Sequence, residues 1–182
     1  MEESRTSEGY PLPDESDATG GEPVADDDCK PVRVSRRVGA PAANIFRILA
    51  DPRRHPEFDG SEMLRGAVSG AVIAGVGEVF VMRMHAAHLG DYEMNNHVVE
   101  YEPDRRIGWE PESGRGHPRA GSAWGQRWSF ELTPDGPTDT VVTEIYDCCR
   151  VPEEERAPME DGRVWIDTMT RTLERLDALF AE

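Results

Sequence analysis

Alternating apolar and polar residues predict a series of short β-strands after residue 30. Val32, Val34 and Val38 alternate with arginine and serine, which predicts a first strand over residues 31–39. Similar patterns predict further strands over residues 61–68, 78–85, 90–101, 105–110, 124–132 and 138–151. Turn residues connect most of these segments, so we expect an antiparallel sheet.

A first helical segment is predicted over residues 40–58. It begins at Ala40-Pro41 and is interrupted at Asp51-Pro52, because the residue before a proline is disfavoured in a helix. Its apolar stripe consists of Ile45, Phe46, Ile48 and Leu49. We expect the residues after the interruption to form a solvated rim: Arg53, Arg54 and His55.

A second helical segment follows Pro158 and is predicted as one long helix. Its apolar residues recur at helical spacing: Ile166, Met169, Leu173, Leu176 and Phe180, widened by Trp165, Thr172 and Leu179. An antiparallel sheet with one apolar face needs a cover, and this helix is the largest apolar surface available for it. The sequence therefore predicts a two-layer α+β domain in which a curved sheet grips a long C-terminal helix.

The charge is concentrated at the N-terminus. Residues 1–30 hold ten acidic residues against Arg5 and Lys30, a net charge of −8 within a total of −16. With almost no large apolar residues, this segment is predicted to be a disordered acidic tail, followed by a domain over residues 31–182. The tail is either a solubilising extension or an interaction segment for a basic protein partner.

Composition also narrows the class of partner. A net charge of −16 argues against nucleic acid, which requires clustered Lys and Arg. No apolar run reaches the length of a membrane span, and residues 1–30 have no apolar core typical of a signal peptide, so we do not expect secretion. The three cysteines, Cys29, Cys148 and Cys149, do not form a disulfide framework, which favours a cytoplasmic location.

Several phrases of the chain resemble the START-domain and polyketide cyclase superfamily (SRPBCC), which has a helix-grip fold. They are VSRRVGAPAANIFRILADPRRHPEFDGS, VVEYEPDRRIGW, WSFELTPDG, TDTVVTEIYD and the final helix. The superfamily includes lipid carriers, aromatic cyclases, dehydratases and chaperone co-activators. The resemblance implies a cavity between the concave face of the sheet and the long helix.

The side chains predicted to face this cavity are large and soft, as in small-molecule pockets. The predicted ligand-binding residues are Phe80, Met82, Met84, Tyr92, Met94, Asn96, Trp109, Trp124, Gln126, Trp128, Trp165 and Met169, and Phe130 shares their face. Asn96 and Gln126 are inward amides by strand parity, and each pairs with either a ligand or a neighbouring group. A plain packed core is the alternative interpretation of the same stripe.

Candidate catalytic residues are His88, Glu144 and Tyr146. Glu144 and Tyr146 share one face of the last strand, but both faces are mixed, so the buried face stays undecided, and glutamate favours the solvent side. If Glu144 points inward, burial raises its pKa and suits it to acid–base chemistry. The HxxH spacing of His85 and His88 suits a helix rather than this strand end, so we predict no metal, and we predict no cofactor.

The leading hypothesis is that the protein binds a hydrophobic lipid, polyketide or aromatic molecule in the cavity. One alternative is a polyketide cyclase or dehydratase that uses acid–base groups in the same cavity. Another is an interaction module that resembles a chaperone activator. The sequence leaves these three open.

Overall fold

The computed structural model describes residues 29–181. The acidic tail predicted over residues 1–30 therefore lies outside the described residues, except for Cys29 and Lys30. The described chain begins immediately before the first strand and ends just after the C-terminal helix.

The sheet has seven antiparallel strands, in the order β1-β7-β6-β5-β4-β3-β2. Their bounds are β1 (Val32–Val38), β2 (Leu64–Ala67), β3 (Val79–Ala86), β4 (Gly90–Glu102), β5 (Arg106–Ser113), β6 (Arg127–Pro134) and β7 (Thr140–Asp147). Strands β2 to β7 form a continuous meander, and β1 joins its far edge beside β7. The predicted antiparallel sheet is confirmed.

One predicted strand begins later than expected. Strand β6 starts at Arg127, so Trp124 and Gln126 precede it, although their alternation with Trp128 had placed them on the strand. Gly125 has a φ of 85°, which is left-handed backbone. A Cβ at residue 125 would lie 2.6 Å from the carbonyl oxygen of Arg150. This turn interrupts the alternation, because extended backbone cannot include a left-handed residue.

The helices follow the predicted order. Helix α1 (Ala42–Leu49), a 3-10 turn (Pro52–Arg54) and α2 (His55–Phe58) follow β1. After β7 come α3 (Glu153–Arg156), a 3-10 segment (Ala157–Trp165) and α4 (Ile166–Ala178). The apolar stripe predicted for α1 is buried: Ile45, Phe46, Ile48 and Leu49.

The C-terminal helix differs from the prediction at both ends. Glu160, Asp161 and Gly162 have φ values of 51°, 53° and 89°, so the regular helix begins only at Ile166. Met169, Thr172, Leu173 and Leu176 are buried as expected. Ile166 and Leu179, which were predicted to belong to the apolar stripe, are exposed instead.

Helices α1, α2 and α4 cover one face of the sheet, which we call the inner face. The main cluster under them includes Val38, Ile45, Leu49, Phe58, Phe80, Met82, Val98, Ile107, Phe130, Leu132, Val142, Leu173 and Leu176. A second cluster contains Tyr146, Cys148, Val151 and Met169, with Trp128 and Trp165 packed against it. Strand residues of both clusters alternate, as expected for one face of a pleated sheet.

His55 was expected in a solvated rim, and that prediction is wrong. Its ring is buried, stacks on Trp109 at 5.4 Å between ring centroids, and contacts Phe58 and Phe80 edge-on. Its Nε2 lies 2.8 Å from the Leu49 carbonyl oxygen at the end of α1. Burial lowers the pKa of His55. The short α2 turns this ring inward, which sequence composition does not reveal.

The three cysteines were predicted not to make a disulfide framework, but two of them form a single bond. Cys29 and Cys149 form a disulfide, with Cα atoms 5.3 Å apart across a sequence separation of 120 residues. Pairing of β1 with β7 brings the two cysteines together, so the bond depends on tertiary structure. Cys148 is a buried free thiol, as predicted for one of the adjacent pair. In the described part of the chain, no helix is long and apolar enough to cross a membrane.

The opposite, outer face carries what we call the outer charge network. Its members are Arg33, Glu100, Arg106, Glu110, Arg127, Glu131 and Arg150, contributed by or adjacent to five strands. Glu100 accepts hydrogen bonds from Arg106 Nε at 2.6 Å and from Arg127 Nη1 at 2.8 Å. Gly108 lies beneath Glu100, where a Cβ would be 2.7 Å from Ser129 Cβ.

Candidate functional site

Three aromatic side chains lie next to one another across the inner face. Trp109 pairs with Trp128 in register, and Trp128 pairs with Tyr146. The Trp128 and Tyr146 ring centroids are 4.5 Å apart. We call these three residues the aromatic row. Trp109 and Trp128 remain half-buried, so their rings are only partly covered by the helical layer.

Trp165 closes over this row from the 3-10 segment before α4. Its ring lies 5.8 Å from Trp128 and 6.2 Å from Tyr146 between centroids. The left-handed backbone at Gly162 brings the segment against Tyr146, where a Cβ would lie 2.5 Å from Tyr146 Cδ1. Glycine is therefore required for this close approach.

Glu144 is the acidic group of the inner face. It pairs in register with Phe130 on β6 and Val34 on β1, one step along β7 from the aromatic row. The residue is 5% exposed, and its Oε2 has no hydrogen-bond partner among the described residues. Burial raises the pKa of Glu144 well above its usual value, and the nearby Asp59 carboxylate raises it further.

Glu144 also separates the two apolar clusters. Val142, one step before it, belongs to the main cluster, whereas Tyr146 belongs to the second cluster. On the covering helix, Leu173 and Met169 divide between the same two clusters, with Thr172 in between. The carboxyl therefore lies at the boundary of two apolar regions, where an unpaired polar atom is costly.

Asp59 is held by the connection between α2 and β2. Its carboxylate accepts hydrogen bonds from the Ser61 nitrogen at 2.9 Å and the Leu64 nitrogen at 3.0 Å. Arg175 Nη1 of α4 donates to the Asp59 carbonyl oxygen at 2.5 Å, while its Nη2 pairs with Glu62. These contacts fix the position of a second carboxylate near Glu144.

Tyr146 and Gln126 are brought together. The Tyr146 hydroxyl donates to Gln126 Oε1 at 2.9 Å. Burial raises the pKa of Tyr146. The tyrosine therefore stays protonated and acts as a hydrogen-bond donor, and the Gln126 amide receives a protein partner rather than standing free.

Two other predicted ligand-binding residues form a separate aromatic group. Tyr92 and Trp124 contact His117 with centroid distances of 5.3 and 5.8 Å. The His117 Nδ1 accepts from the Arg119 nitrogen at 3.0 Å, and the Arg119 guanidinium lies 4.3 Å above Trp124. Burial lowers the pKa of His117 and raises that of Tyr92 to about 12. His117 is a residue that sequence inspection missed, since a lone histidine in a glycine-rich loop has no distinguishing pattern.

The remaining predicted residues divide between the packed core and the periphery. Phe80, Met82 and Met169 are fully buried, whereas Met84 and Met94 are half-buried. Asn96 Nδ2 donates to the carbonyl oxygens of Phe80 at 3.4 Å and Met94 at 3.3 Å, so a protein partner satisfies it. His88 is exposed on the turn between β3 and β4.

Helix α4 is held over the inner face by backbone contacts with the connection after α2. The Gly60 nitrogen donates to Thr172 Oγ1 at 3.0 Å, and Arg171 Nε donates to the Gly60 carbonyl oxygen at 3.1 Å. A Cβ at residue 60 would lie 2.6 Å from the Thr172 nitrogen. Glycine thus permits the close approach that closes this side of the site.

A surface depression lies elsewhere, at the turn between β4 and β5. It has a volume of about 210 Å³ and is lined by Glu102, Arg105, Arg106, Glu131, Leu132 and Thr133. Arg105 pairs with Glu102 and Arg106 with Glu131, so its charges are already matched. The depression is separate from the aromatic row and Glu144.

Solved structures share this architecture. Protein MLL2253 from Mesorhizobium loti has a TM-score of 0.55 and 21% identity, over 82% of this chain and 96% of that chain. Ms6760 from Mycobacterium smegmatis has a TM-score of 0.63 and 14% identity, over 86% of this chain and 94% of that chain. At these identities the similarity shows the helix-grip fold.

A curated relative is more similar in sequence. The uncharacterized protein Rv0088 of Mycobacterium tuberculosis is 38% identical over 122 residues, which are 66% of this chain and 49% of that protein. The chain therefore spans about half the length of this relative. The helix-grip fold is commonly a ligand-binding domain. A family model described as Activator of Hsp90 ATPase homolog 1-like protein matches residues 39–181, and the chain belongs to that family.

Proposed function

We propose that the protein binds a small molecule with an apolar body on the inner face of its sheet, beneath α4 and Trp165. The observation that carries this proposal is the Glu144 carboxyl, which is buried with an unpaired Oε2. Buried polar groups normally have partners, so an unpaired one is a candidate ligand contact. A ligand polar group beside Glu144 supplies the missing partner.

The aromatic row supports the apolar part of the proposal. Trp109 and Trp128 stay half-buried on a face that is otherwise closely packed. Large aromatic surfaces beside a few polar groups are typical of small-molecule sites. Entry requires Trp165 and its segment to move away from Trp128, because these rings are already in contact.

Nile red, a neutral apolar dye, tests this proposal by its fluorescence. We expect an emission increase with wild-type protein, and native mass spectrometry should show a one-to-one complex. Trp128→Phe, which shrinks the centre of the aromatic row, should weaken binding several-fold. Trp124→Phe is the matched control, since Trp124 contacts His117 outside the row. The proposal is wrong if the dye does not bind, or if Trp128→Phe binds it as well as the control.

Acid–base catalysis is a second function that Glu144 supports. A carboxyl that keeps its proton because of burial is suited to donate it to a substrate oxygen. The neighbouring Tyr146 hydroxyl is held by Gln126 and would orient the substrate. Turnover of a poly-β-ketone should then be lost in Glu144→Gln while binding persists. Unchanged turnover in that variant would exclude this role.

Family membership supports a different function, activation of an Hsp90-type ATPase. The outer charge network offers an ordered polar surface for such a partner. Stimulation of Hsp90 ATP hydrolysis by the full chain is the measurement, repeated with residues 1–28 removed, which keeps the Cys29–Cys149 disulfide. Loss of stimulation with the shortened chain would assign the contact to the acidic tail. Absence of stimulation by either chain would exclude this function.

A further inference from the structure

We propose that the ligand of the inner face is an organic cation, whose ammonium group lies between Glu144 and the aromatic row. This inference rests on the proposed binding function and specifies the chemical class of its ligand. The juxtaposition that carries it is an unpaired buried carboxyl oxygen next to three aromatic side chains.

The charged group that acts on Glu144 among the described residues is the Asp59 carboxylate, and no cation there offsets its effect. The α4 arginines facing this region are directed elsewhere, Arg171 to the Gly60 carbonyl and Arg175 to Asp59 and Glu62. The missing partner of Glu144 is therefore positive rather than negative.

The buried Arg156 does not supply this charge. Its Nε lies 3.1 Å from Asp161 Oδ1, on the segment that leads to Trp165. Its charge also acts on the Cys148 thiol, two residues after Tyr146 in the sequence. Tyr146 itself is neutral and donates to Gln126. The inner face thus has an acid at its centre and no cation facing it in the described chain.

Aromatic side chains on the adjacent strand neighbour Glu144. Phe130 lies directly beside Glu144, and Trp128 is the diagonal neighbour on the same strand. Trp165 contacts Trp128 from the other side. Indole and phenol faces attract cations within about 6 Å of the ring centroid. An ionised carboxylate beside such faces favours an ammonium group over a neutral group of the same shape.

Anionic ligands fit the same surroundings poorly. A carboxylate or phosphate would meet Glu144 and Asp59 without a compensating cation, and the chain carries a net charge of −16. A neutral carbonyl remains the competing ligand, because a protonated Glu144 would donate one hydrogen bond to it. The ammonium and the carbonyl ligand differ in whether Glu144 must lose its proton on binding.

Binding of an ammonium ion requires Glu144 to ionise. The carboxyl releases its proton to solvent, and the ion pair then replaces the O–H bond. Affinity for a cation should therefore rise with pH, since less work is needed to remove the proton. A neutral carbonyl ligand has the opposite preference, because it uses the proton that Glu144 holds.

Isothermal titration calorimetry with a matched pair of probes tests the inference. The probes are 2-naphthylmethylammonium and 2-naphthylmethanol, which share one aromatic body and differ in charge. We expect the ammonium to bind about tenfold more tightly than the alcohol, a difference typical of a close charge pair. Its affinity should increase as the pH rises, with proton release detected in buffers of different ionisation enthalpy.

Glu144→Gln keeps the shape of the side chain and removes its charge. It should reduce ammonium binding to the level of the alcohol and abolish proton release. Glu174→Gln is the control, because Glu174 is an exposed acid on the outer side of α4. Thermal melting establishes that both variants fold.

The outcomes distinguish this inference from the proposed function. If neither probe binds the wild-type protein, the binding function itself fails. If the alcohol binds as tightly as the ammonium, or Glu144→Gln leaves the preference unchanged, the binding function stands and the cation inference is overturned. If Glu174→Gln weakens the ammonium as strongly as Glu144→Gln, overall charge rather than the buried carboxyl is responsible, which also overturns it.

Discussion

The two faces of the sheet place glutamate in opposite surroundings. On the outer face, Glu100 is enclosed by Arg106 and Arg127 within hydrogen-bond distance. On the inner face, Glu144 is more deeply buried, and its Oε2 has no hydrogen-bond partner among the described residues. Paired acids contribute to structure, whereas an unpaired buried acid destabilises the free protein and is a candidate ligand contact.

The two faces also differ in their aromatic content. Trp109, Trp128 and Trp165 lie on the inner face or close over it, whereas the outer face is lined by arginine and glutamate. The charged side chains of the outer face pair with one another. The inner face combines a carboxyl oxygen that has no partner among the described residues with aromatic rings that are not fully covered, which is why we propose the ligand site there.

The largest expected effect comes from disrupting the cover of the inner face. Gly60→Ala places a methyl group against backbone atoms of α4, which cannot move aside as a side chain can. We expect the free energy of unfolding in urea to fall by about 3 kcal/mol. Gly39→Ala is the control, since nothing lies within 4 Å of its Cβ position. Equal stability of the two variants would show that α4 is not held at Gly60.

The next effect is the pH dependence caused by Glu144. Its pKa is raised in the folded protein, so the unfolded chain loses this proton at lower pH. The stabilising contribution is complete below the unfolded pKa near 4.5 and is lost as pH rises through the folded pKa. Glu144→Gln should therefore become more stable relative to wild type as pH increases, measured by urea denaturation. A pH-independent difference would mean that Glu144 is already ionised in the folded protein.

The buried His55 gives the free energy of unfolding the opposite pH dependence, since its contribution is lost at acidic pH. Burial lowers the pKa of His55, so its contribution is present above the unfolded pKa near 6.5 and is lost as pH falls through the folded pKa. Comparing wild type with Glu144→Gln at each pH cancels this contribution. The comparison therefore isolates the carboxyl.

A smaller effect is expected from the outer charge network. Arg127→Met removes contacts to Glu100 at 2.8 Å and Glu110 at 2.7 Å, but Arg106 and Arg150 still pair with those acids. We expect a loss of about 1 kcal/mol in thermal or urea unfolding, because the pairs are only partly buried. Probe binding should stay unchanged, since Arg127 faces away from the aromatic row. Weakened probe binding would contradict the separation of the two faces.

The smallest effect is expected at a fully solvated pair. Arg37 lies 3.0 Å from Asp135, and its side chain is 61% exposed. Arg37→Ala should change the free energy of unfolding by no more than about 0.5 kcal/mol, less still in high salt. A loss as large as that of Arg127→Met would show that burial does not control the strength of these pairs.

Sequence patterns predicted much of the architecture because the relevant signals are local. The stripe of Ile45, Phe46, Ile48 and Leu49 follows helical spacing, and these residues are buried in α1. Alternation on β3 likewise placed Phe80 and Met82 on the inner face. The pattern failed before β6, where left-handed Gly125 breaks the strand and moves Trp124 into a different aromatic group.

The candidate site was only partly predictable. Glu144 and Tyr146 were expected on a common face, but the solvent side was favoured for Glu144. The other face of β7 includes Ile145, which is also buried, so alternation alone does not distinguish the two faces. Gln126 and Asn96 were expected to point inward, and their partners proved to be Tyr146 and backbone carbonyls.

The sequence by itself determined the order of strands and helices, the apolar stripe of each element and the resemblance to the helix-grip fold. These features depend on spacing along the chain, which is visible without coordinates. Tertiary structure decided that Glu144 is buried with no partner for its Oε2 among the described residues, that His55 is buried, and that Cys29 meets Cys149. Each of these depends on strand register and on which helix covers which face, and both are set by contacts between residues far apart in the chain.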